Sequence, residues 1–519
     1  FNGRLAWGAT MVTADSQDIF LERLQRRGDA VCYRYRGECL PLQERQERFS
    51  VRGGSEVVKT VRSTVHGPLL EDALSAFEQM PRVPAIPLHT TAGQGLALRW
   101  SLADGERGLQ GFLAMGRARD MEQARRALTL IDSIYLNILY GDAHHIGWQV
   151  TGRFPLRKRG TGHLPSPGWD GIYDWQGYLP FEQKPHVIDP ADGFLATANN
   201  RTTDASSAHY LSHSWVGPER IERIRQLADG KSDLVVEDMT RMFADTFSLM
   251  ALRTQRLLFE GALAAQVERV IESWQEGKKS GSARSALSWL HPERFDCDMD
   301  AGSAGAAVMG AFHHAFTRRV FLDELGPDDG IEWQAFTAMV LDSYAAPEDH
   351  LLVRAQSPFF DDVTTAEEES KAEMVALALA DAWQLCRRRL GGDPRQWKWG
   401  ELHAYRWTHP FTEIFSRLFG FLSRGPVPAG GDLHTVNVAG FHWGRDFDAL
   451  LIPAMRMVVD FGLPEPAFLI THGGQSGNPA SRHYDDMIEP WVAVRNHPLP
   501  FRPENERKQY NRELRLSPF

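Results

Sequence analysis

The amino-acid sequence predicts a mixed α+β fold whose sheets take strands from distant parts of the chain. Three observations predict it. Residues 1–100 are rich in strand signals, the stretch from Pro218 to Trp274 changes to helical periodicity, and residues 435–475 return to strand-like segments separated by glycine and proline. Because strands stand on both sides of a helical middle, we expect the two ends of the chain to build the sheets.

The strand-rich first part can be followed segment by segment. Asn2-Gly3 is a hairpin-turn signal before a strand-like run. Val57 to Val65 is dense in β-branched residues, and Leu96 to Trp100 has the same character. Residues 143–155 are also predicted to be strand. Residues 156–195, dense in proline, glycine and aromatic residues, are predicted to form a long, well-packed loop region.

Helix signals occupy the middle of the chain. A helix is predicted from Asp120 to Leu136, with Gln123 completing a capping box. Residues 275–285 are polar and are interpreted as a linker between helical parts. The other predicted helical segments are 218–274, 303–325, 331–345 and 366–390.

Composition excludes several classes of protein. Apolar residues make up 43%, which is ordinary for a globular protein, and 57 basic against 67 acidic residues give a net charge of −10. This balance argues against nucleic acid or an anionic membrane as the main partner, and no apolar run is long enough to span a bilayer. The four cysteines form no CxxC motif. Cys32 and Cys39 flank a strand-and-turn segment, and a local disulfide and two free thiols are equally compatible with it.

Common cofactor and metal motifs are not matched. Gly277-Lys278-Lys279-Ser280 lacks the upstream glycine of a phosphate loop and is interpreted as a solvated turn, so no organic cofactor is predicted. The adjacent pairs His144-His145 and His313-His314 do not have the spacing that lets two histidines share a metal on a helix. His209 and His213 have that spacing, with His163 upstream, but no carboxylate motif accompanies them.

Three separated blocks of sequence carry a resemblance to a known family. In order and spacing they resemble the β subunit of the penicillin acylase family, which includes acyl-homoserine-lactone acylases, and the resemblance covers nearly the whole chain. The blocks are Asn2–Thr10 with Ala14–Leu24, Ala196–Arg201 with Trp215–Ile221, and Gly473–Pro479 with His483–Asp486.

The resemblance implies an N-terminal-nucleophile hydrolase with a four-layer αββα sandwich. Residues 1–217 would form the N-terminal part of this core, residues 218–400 a large, mainly helical insertion, and residues 401–519 the C-terminal part. A precursor of this family, a zymogen, cleaves itself to free a serine at the N-terminus of the β subunit. That serine attacks an amide carbonyl, and its α-amine, with an ordinary pKa of about 7.7–8, serves as the base.

The same resemblance assigns site residues. The Asn199 side chain and the backbone N–H of Met11 would donate hydrogen bonds to the oxyanion, and Arg220 would orient Asn199 from behind the site. The alternative for Asn199-Asn200 is a turn in left-handed geometry without a catalytic role. The alternative for Arg220 is an exposed arginine at a helix start, paired with Glu219 or Glu222.

A structural calcium ion between subunits is common in the family. Asp15, Asp18 and the carbonyl of Gln17 match its ligand positions, and Gly162 falls near a further carbonyl ligand. Where some members have another aspartate, this sequence has His209, which departs from the pattern. The alternative is that both aspartates are solvated or cap helices.

The nucleophilic serine and the small α subunit are not found in this sequence. The resemblance begins several tens of residues into the β subunit, so we expect the serine to lie upstream of Phe1 and expect 1–519 alone not to hydrolyse amides. The expected substrate is an N-acyl compound such as a β-lactam antibiotic or an acyl-homoserine lactone, and the expected location is periplasmic or secreted. A catalytically inactive relative that binds ligands or acts as a scaffold is the alternative.

Two further segments are predicted to be structural. The Gly473–Pro479 block is interpreted as a tight turn whose glycine and asparagine residues permit positive φ. His66 is interpreted as a hydrogen-bonded turn histidine and not as a base.

Overall fold

The chain divides into two compact units. The computed structural model describes residues 1–28, 30–70, 93–203, 207, 209–339 and 351–501. The N-terminal unit comprises Asn2–Trp215, and the C-terminal unit comprises Val216–Phe519 together with Phe1. The predicted boundary after residue 217 lies two residues beyond this division, and the predicted boundary after residue 400 lies inside the C-terminal unit.

The N-terminal unit is mostly β structure. Its strands are β1 (Ala6–Met11), β2 (Gln17–Arg27), β3 (Ala30–Tyr35), β4 (Glu38–Pro41), β5 (Gln43–Phe49), β6 (Val57–Thr64), β7 (Gly67–Pro68), β8 (Gln94–Trp100), β9 (Leu136–Gly141), β10 (Ile146–Val150), β11 (Pro155–Arg157), β12 (Ser166–Pro167), β13 (Trp175–Tyr178) and β14 (His186–Ile188). Its helices are α1 (Gly108–Arg117) and α2 (Met121–Leu128), with 3-10 turns at Ser101–Asp104 and Phe181–Gln183.

Two sheets organise this unit. One is antiparallel with strand order β1-β9-β10-β14, and the other is built around β2, which pairs with β3, β8 and β12. Helices α1 and α2 cover the first sheet, because Met115 and Leu128 on the helices share a buried cluster with Ile138 and Tyr140 on β9. Burying such side chains stabilises each by about 1.5–3 kcal/mol. In the strand order of the described residues, β1 lies at the edge of its sheet.

The C-terminal unit is mostly helical. Its helices are α3 (Glu219–Ala228), α4 (Val236–Phe243), α5 (Leu249–Phe259), α6 (Gly261–Ser273), α7 (Lys278–Leu290), α8 (Ala304–Leu325), α9 (Ile331–Met339), α10 (Lys371–Leu390), α11 (Trp399–Leu402), α12 (Pro410–Ile414), α13 (Ser416–Phe419) and α14 (Ile488–Val492). Its strands are β15 (Ala404–Trp407), β16 (Arg424–Pro428), β17 (Met455–Val459), β18 (Ala467–Thr471) and β19 (His497–Leu499), and its 3-10 turns are Pro358–Phe360, Pro394–Gln396 and Gly420–Leu422.

Helix α8 lies at the centre of this unit. Its residues are buried continuously from Gly305 to Thr317, so the helix is enclosed on every side. Gly310 permits a close approach, because a Cβ there would stand 2.5 Å from the Trp399 ring. His313 and His314 belong to this core and face different partners: the first stacks on Trp443 and the second on Phe447.

Most of the predicted helices and strands are confirmed, with errors at particular boundaries. Of the predicted helix 331–345, α9 covers Ile331–Met339, and residues 340–345 lie outside the described residues. Asp120 caps α2 by accepting from the Gln123 N–H at 2.8 Å, but the helix ends at Leu128 and not at Leu136, because Leu136 begins strand β9. The predicted linker 275–285 is wrong: α7 begins at Lys278. Ser280 accepts from the Gly277 N–H at 3.2 Å and is itself buried, so this polar segment starts a packed helix.

Two smaller predictions have clear outcomes. His66 is a buried turn residue as predicted, with Nδ1 2.7 Å from Glu22 Oε1 and Nε2 3.0 Å from Asp174 Oδ1. No residue of the Gly473–Pro479 block has a positive φ, so the predicted reason for its glycine and asparagine residues is wrong. Of its three glycines, only Gly474 is sterically constrained. A Cβ on Gly474 would instead stand 2.0 Å from the His483 carbonyl oxygen.

Two observations bear on the rest of the sequence analysis. Cys32 and Cys39 are joined in a disulfide across the β3–β4 hairpin. Among the helices of the described segments, none is long and apolar enough to cross a membrane. The chain is mixed α and β, as predicted, and the four-layer arrangement stays a prediction.

Candidate active site

The first part of the site is the end of strand β1. Among the described strands β1 pairs only with β9, with Met11 opposite Leu136. Beyond it, the Val12 N–H donates to the Tyr135 carbonyl at 2.9 Å. In an antiparallel pair, neighbouring residues turn their N–H and C=O groups to opposite sides. The backbone N–H and C=O of Met11 therefore both turn to the open edge of the sheet.

The second part is a turn that contains Asn199. Asn199 has a φ of 61°, in the left-handed region that asparagine tolerates better than most residues. Asn200 braces the turn, because its Oδ1 accepts from the Ala198 N–H at 3.1 Å and its Nδ2 donates to the Arg201 carbonyl at 3.0 Å. Ala198 is buried and anchors the turn to the unit.

The structure brings these two parts together. Nδ2 of Asn199 donates to the carbonyl oxygen of Met11 at 2.9 Å, across 188 residues of sequence. Since a carbonyl oxygen can only accept, this contact fixes which end of the amide faces the strand. The left-handed turn given as the alternative for Asn199 is present, and it is the conformation that directs the side chain to Met11.

A chain of polar side chains runs beneath this edge. Trp148 Nε1 donates to Asn137 Oδ1 at 3.1 Å, Asn137 Nδ2 donates to Thr10 Oγ1 at 3.3 Å, and Thr10 donates to Thr197 Oγ1 at 2.9 Å. Asn137 is fully buried, so leaving its hydrogen bonds unmade would cost about 1–3 kcal/mol. The chain links three neighbouring strands to the segment that carries Asn199. No local pattern in the sequence predicts this chain of hydrogen bonds, because only strand register brings these residues together.

Arg220 belongs to the C-terminal unit, where it is the second residue of α3. The two acids proposed as its alternative partners both bind another arginine: Arg253 forms ion pairs with Glu219 and, at 2.7 Å, with Glu222. The predicted orienting role of Arg220 stays a prediction.

Glu219 itself is held as a carboxylate inside the C-terminal unit. It is 2% exposed, lies 3.2 Å from His434 Nδ1 and pairs with Arg253. Burial opposes ionisation, but the hydrogen bond and charge of His434, with the charge of Arg253, outweigh it and lower the pKa of Glu219 to about 2. This group fixes the start of α3, the helix on which Arg220 stands.

The residues predicted to bind calcium lie around an arginine. Arg157 Nη2 is 2.7 Å from Asp18 Oδ1 and 3.4 Å from Asp15 Oδ1. The other oxygen of Asp18 accepts from Trp175 Nε1 at 2.7 Å. Gly162 lies against this pair, because a Cβ there would be 2.2 Å from Asp18 Oδ1. Burial opposes the charge of Arg157, but its hydrogen bonds to Asp18 and the negative charges of Asp18 and Asp15 raise its pKa.

In this arrangement Asp18 does not fit a calcium ion. Both of its oxygens already accept hydrogen bonds, and the guanidinium supplies the positive charge that calcium would bring. Gln17, the remaining predicted ligand, is the first residue of β2 and pairs with Trp100. Calcium binding stays a prediction that requires Arg157 to leave Asp18.

Comparison with known proteins assigns the chain to a family. The penicillin amidase family matches residues 1–508. The chain belongs to the penicillin amidase family.

Individual relatives agree with this assignment. The chain is 43% identical to the acyl-homoserine lactone acylase QuiP of Pseudomonas aeruginosa over all of its own length and 62% of that protein. It is 30% identical to the penicillin acylase 2 proenzyme of Pseudomonas sp. strain SE83 over 94% of the chain and 58% of that protein. The chain thus spans about three fifths of the length of the curated relatives it matches.

A solved structure shows the same fold. The thermostable penicillin G acylase from Alcaligenes faecalis superposes with a TM-score of 0.60, covering 100% of this chain and 89% of that one. The two sequences are 18% identical, so the likeness bears on the fold alone.

Proposed function

We propose that this chain is part of an amide hydrolase that removes the acyl group from an N-acyl compound. The observation that carries the proposal is the hydrogen bond from Asn199 Nδ2 to the Met11 carbonyl at the open edge of β1. It sets a side-chain amide beside a backbone N–H that turns to the same edge. Two such donors suit the oxyanion that forms when an amide carbonyl is attacked.

The chemistry of the two donors explains why they are paired. An asparagine amide carries two hydrogens, so Asn199 Nδ2 has the capacity to donate both to the Met11 carbonyl and to an oxyanion. The backbone donor comes from a strand that is fixed by its pairing with β9, so it needs no reorganisation during the reaction. Removing one donor of this kind typically costs about 3–4 kcal/mol of transition-state stabilisation.

The nucleophile in this proposal is a serine at the N-terminus of the mature β subunit, on a segment upstream of Phe1. Its hydroxyl attacks the carbonyl carbon, and the proton passes to its own α-amine, whose ordinary pKa of about 8 suits a base at neutral pH. The C–N bond then breaks, and the amine leaves with a proton. Water hydrolyses the acyl-enzyme ester to a carboxylic acid and restores the serine.

Further support concerns the substrate and the partner. Relatives named acyl-homoserine lactone acylase and penicillin acylase indicate an acyl chain on an amine as the substrate class. We also propose the small α subunit of the same precursor as partner. The Cys32–Cys39 disulfide favours an oxidising, periplasmic or extracellular, location.

The test uses the full-length precursor after self-cleavage, with a panel of acyl-homoserine lactones and acyl-β-lactams. We expect turnover by the wild type and a loss of about 10²–10³ in kcat for Asn199→Ala, with little change in KM. Release of the free amine is the readout.

The matched control is Asn200→Ala in the same turn. Asn200 braces the turn backbone, whereas Asn199 donates to Met11. If Asn199 is an oxyanion donor, Asn199→Ala should lower kcat far more than Asn200→Ala does. Equal losses in both variants would assign the effect to the turn and contradict the donor role. A processed wild type that binds N-acyl compounds but releases no amine would support the inactive ligand-binding alternative.

A further inference from the structure

Three side chains with metal-binding atoms converge in the N-terminal unit, close to Asp18 and Arg157. One carboxylate oxygen of Asp15 and one ring nitrogen each of His163 and His213 all lie within 4.8 Å of one another. They come from three separate segments: the loop between β1 and β2, the loop between β11 and β12, and the segment after residue 209. No carboxylate motif accompanies these histidines in the sequence. Asp15, near the start of the N-terminal unit, supplies the carboxylate in the folded structure.

Tyr210 completes the group with a fourth atom. Its hydroxyl oxygen lies 3.0 Å from Asp15 Oδ2, 2.7 Å from His163 Nε2 and 3.2 Å from His213 Nδ1. A tetrahedral zinc site with bonds of about 2.1 Å has ligand atoms about 3.4 Å apart. The hydrogen-bond distances from the hydroxyl are slightly shorter than this, and His213 Nδ1 lies 3.7 Å from Asp15 Oδ2. The phenol has one hydrogen, and it can be donated to only one of the three atoms that it faces.

The surroundings hold Asp15 in place. Its N–H donates to the Leu211 carbonyl at 3.0 Å, which ties the loop to the segment that carries Tyr210 and His213. Arg157 Nη2 lies 3.4 Å from Asp15 Oδ1, while Oδ2 faces the other ligand atoms. A ligand carboxylate oriented through its second oxygen is the usual support of a metal site.

We propose that Asp15, His163, Tyr210 and His213 form a binding site for a divalent metal ion of the zinc type. Two imidazole nitrogens with one carboxylate favour zinc, cobalt or nickel, whereas calcium takes oxygen ligands. The site shares Asp15 with the calcium prediction but leaves Asp18 to Arg157. The bound ion would fasten the β1–β2 loop, which follows the Met11 edge, to the 209–215 segment. The proposal does not depend on hydrolase activity.

The test is a titration of the chelator-treated full chain, with any affinity tag removed. Co²⁺ is followed by its visible ligand-field absorption, and Zn²⁺ by calorimetry. We expect one equivalent of each to bind and excess Ca²⁺ not to displace it. The double variant His163→Ala/His213→Ala should bind at least about 100-fold more weakly, because losing even a supporting partner of a metal ligand costs about 10–100-fold.

His209→Ala is the matched control, because it removes a neighbouring histidine outside the cluster and should bind like the wild type. Absence of saturable binding, displacement by Ca²⁺, or equal weakening in both variants would overturn the proposal. If the double variant does not fold, the thermal midpoint of the wild type decides: Zn²⁺ should raise it and Ca²⁺ should not, and no rise with Zn²⁺ overturns the site.

Discussion

Replacing Glu219 by glutamine should destabilise the C-terminal unit in a way that depends on pH. The carboxylate is 2% exposed, and it is held by His434 and Arg253 at the start of α3. Glutamine keeps the shape of the side chain but removes its charge, so it imitates the protonated acid. The variant therefore measures how much the ionised form contributes.

The magnitude follows from the pKa of Glu219, which falls from 4.5 to about 2 on folding. At about 1.4 kcal/mol for each pH unit, this corresponds to about 3 kcal/mol at pH 7. A carboxyl whose pKa is lowered stabilises the folded state above its unfolded pKa, and the contribution is lost as the pH falls through the folded pKa. The window is therefore about pH 4.5 to 2, and about 1 kcal/mol should remain at pH 3.

The assay is urea unfolding of the wild type and Glu219→Gln at pH 7 and pH 3. Far-UV circular dichroism and tryptophan fluorescence should give coincident curves before a free energy is taken. Glu222→Gln is the control, since Glu222 binds the same Arg253 with a side chain that is 44% exposed, and it should cost less than about 1 kcal/mol. A stability difference for Glu219→Gln that is the same at both pH values would refute the reasoning.

Two further stability predictions follow. Gly310→Ala should lower the free energy of unfolding by about 1–3 kcal/mol in a urea titration, because the added Cβ would stand 2.5 Å from the Trp399 ring. Gly281→Ala on α7 is the control: it has open space at its Cβ and should be neutral or stabilising. A neutral Gly310→Ala would contradict the packing of α8. Cys32→Ser should lower stability by about 2 kcal/mol in oxidising buffer and not in reducing buffer, because the bond to Cys39 closes a short loop; equal loss in both buffers would exclude the disulfide as the cause.

Local signals in the sequence predicted where a helix begins, but they failed where contacts with distant residues determine the secondary structure. Asp120 is predictable as a helix start, because the residue that it caps, Gln123, lies only three positions further along the chain. The end was misplaced because Leu136 pairs with Met11 across the sheet, and that pairing makes the segment a strand. The polar stretch after Gly277 was misjudged because burial of Ser280 is a tertiary property.

The candidate site shows the same limit. Nothing in composition or periodicity relates Asn199 to Met11, and only the resemblance of whole blocks to a family predicted that they belong together. The histidines of the proposed metal site were noticed, but their carboxylate partner, Asp15, stands far away in sequence. Arg157 gave no signal at all, although it pairs with Asp18, one of the predicted calcium ligands.

The most direct test of the proposed oxyanion site is a crystal structure of the processed full-length protein with a tetrahedral transition-state analogue on its N-terminal serine. Asn199 and Met11 should each place a donor nitrogen about 2.7–3.1 Å from the same analogue oxygen. An analogue oxygen bound away from both nitrogens, with Asn199 still donating to the Met11 carbonyl, would contradict the account.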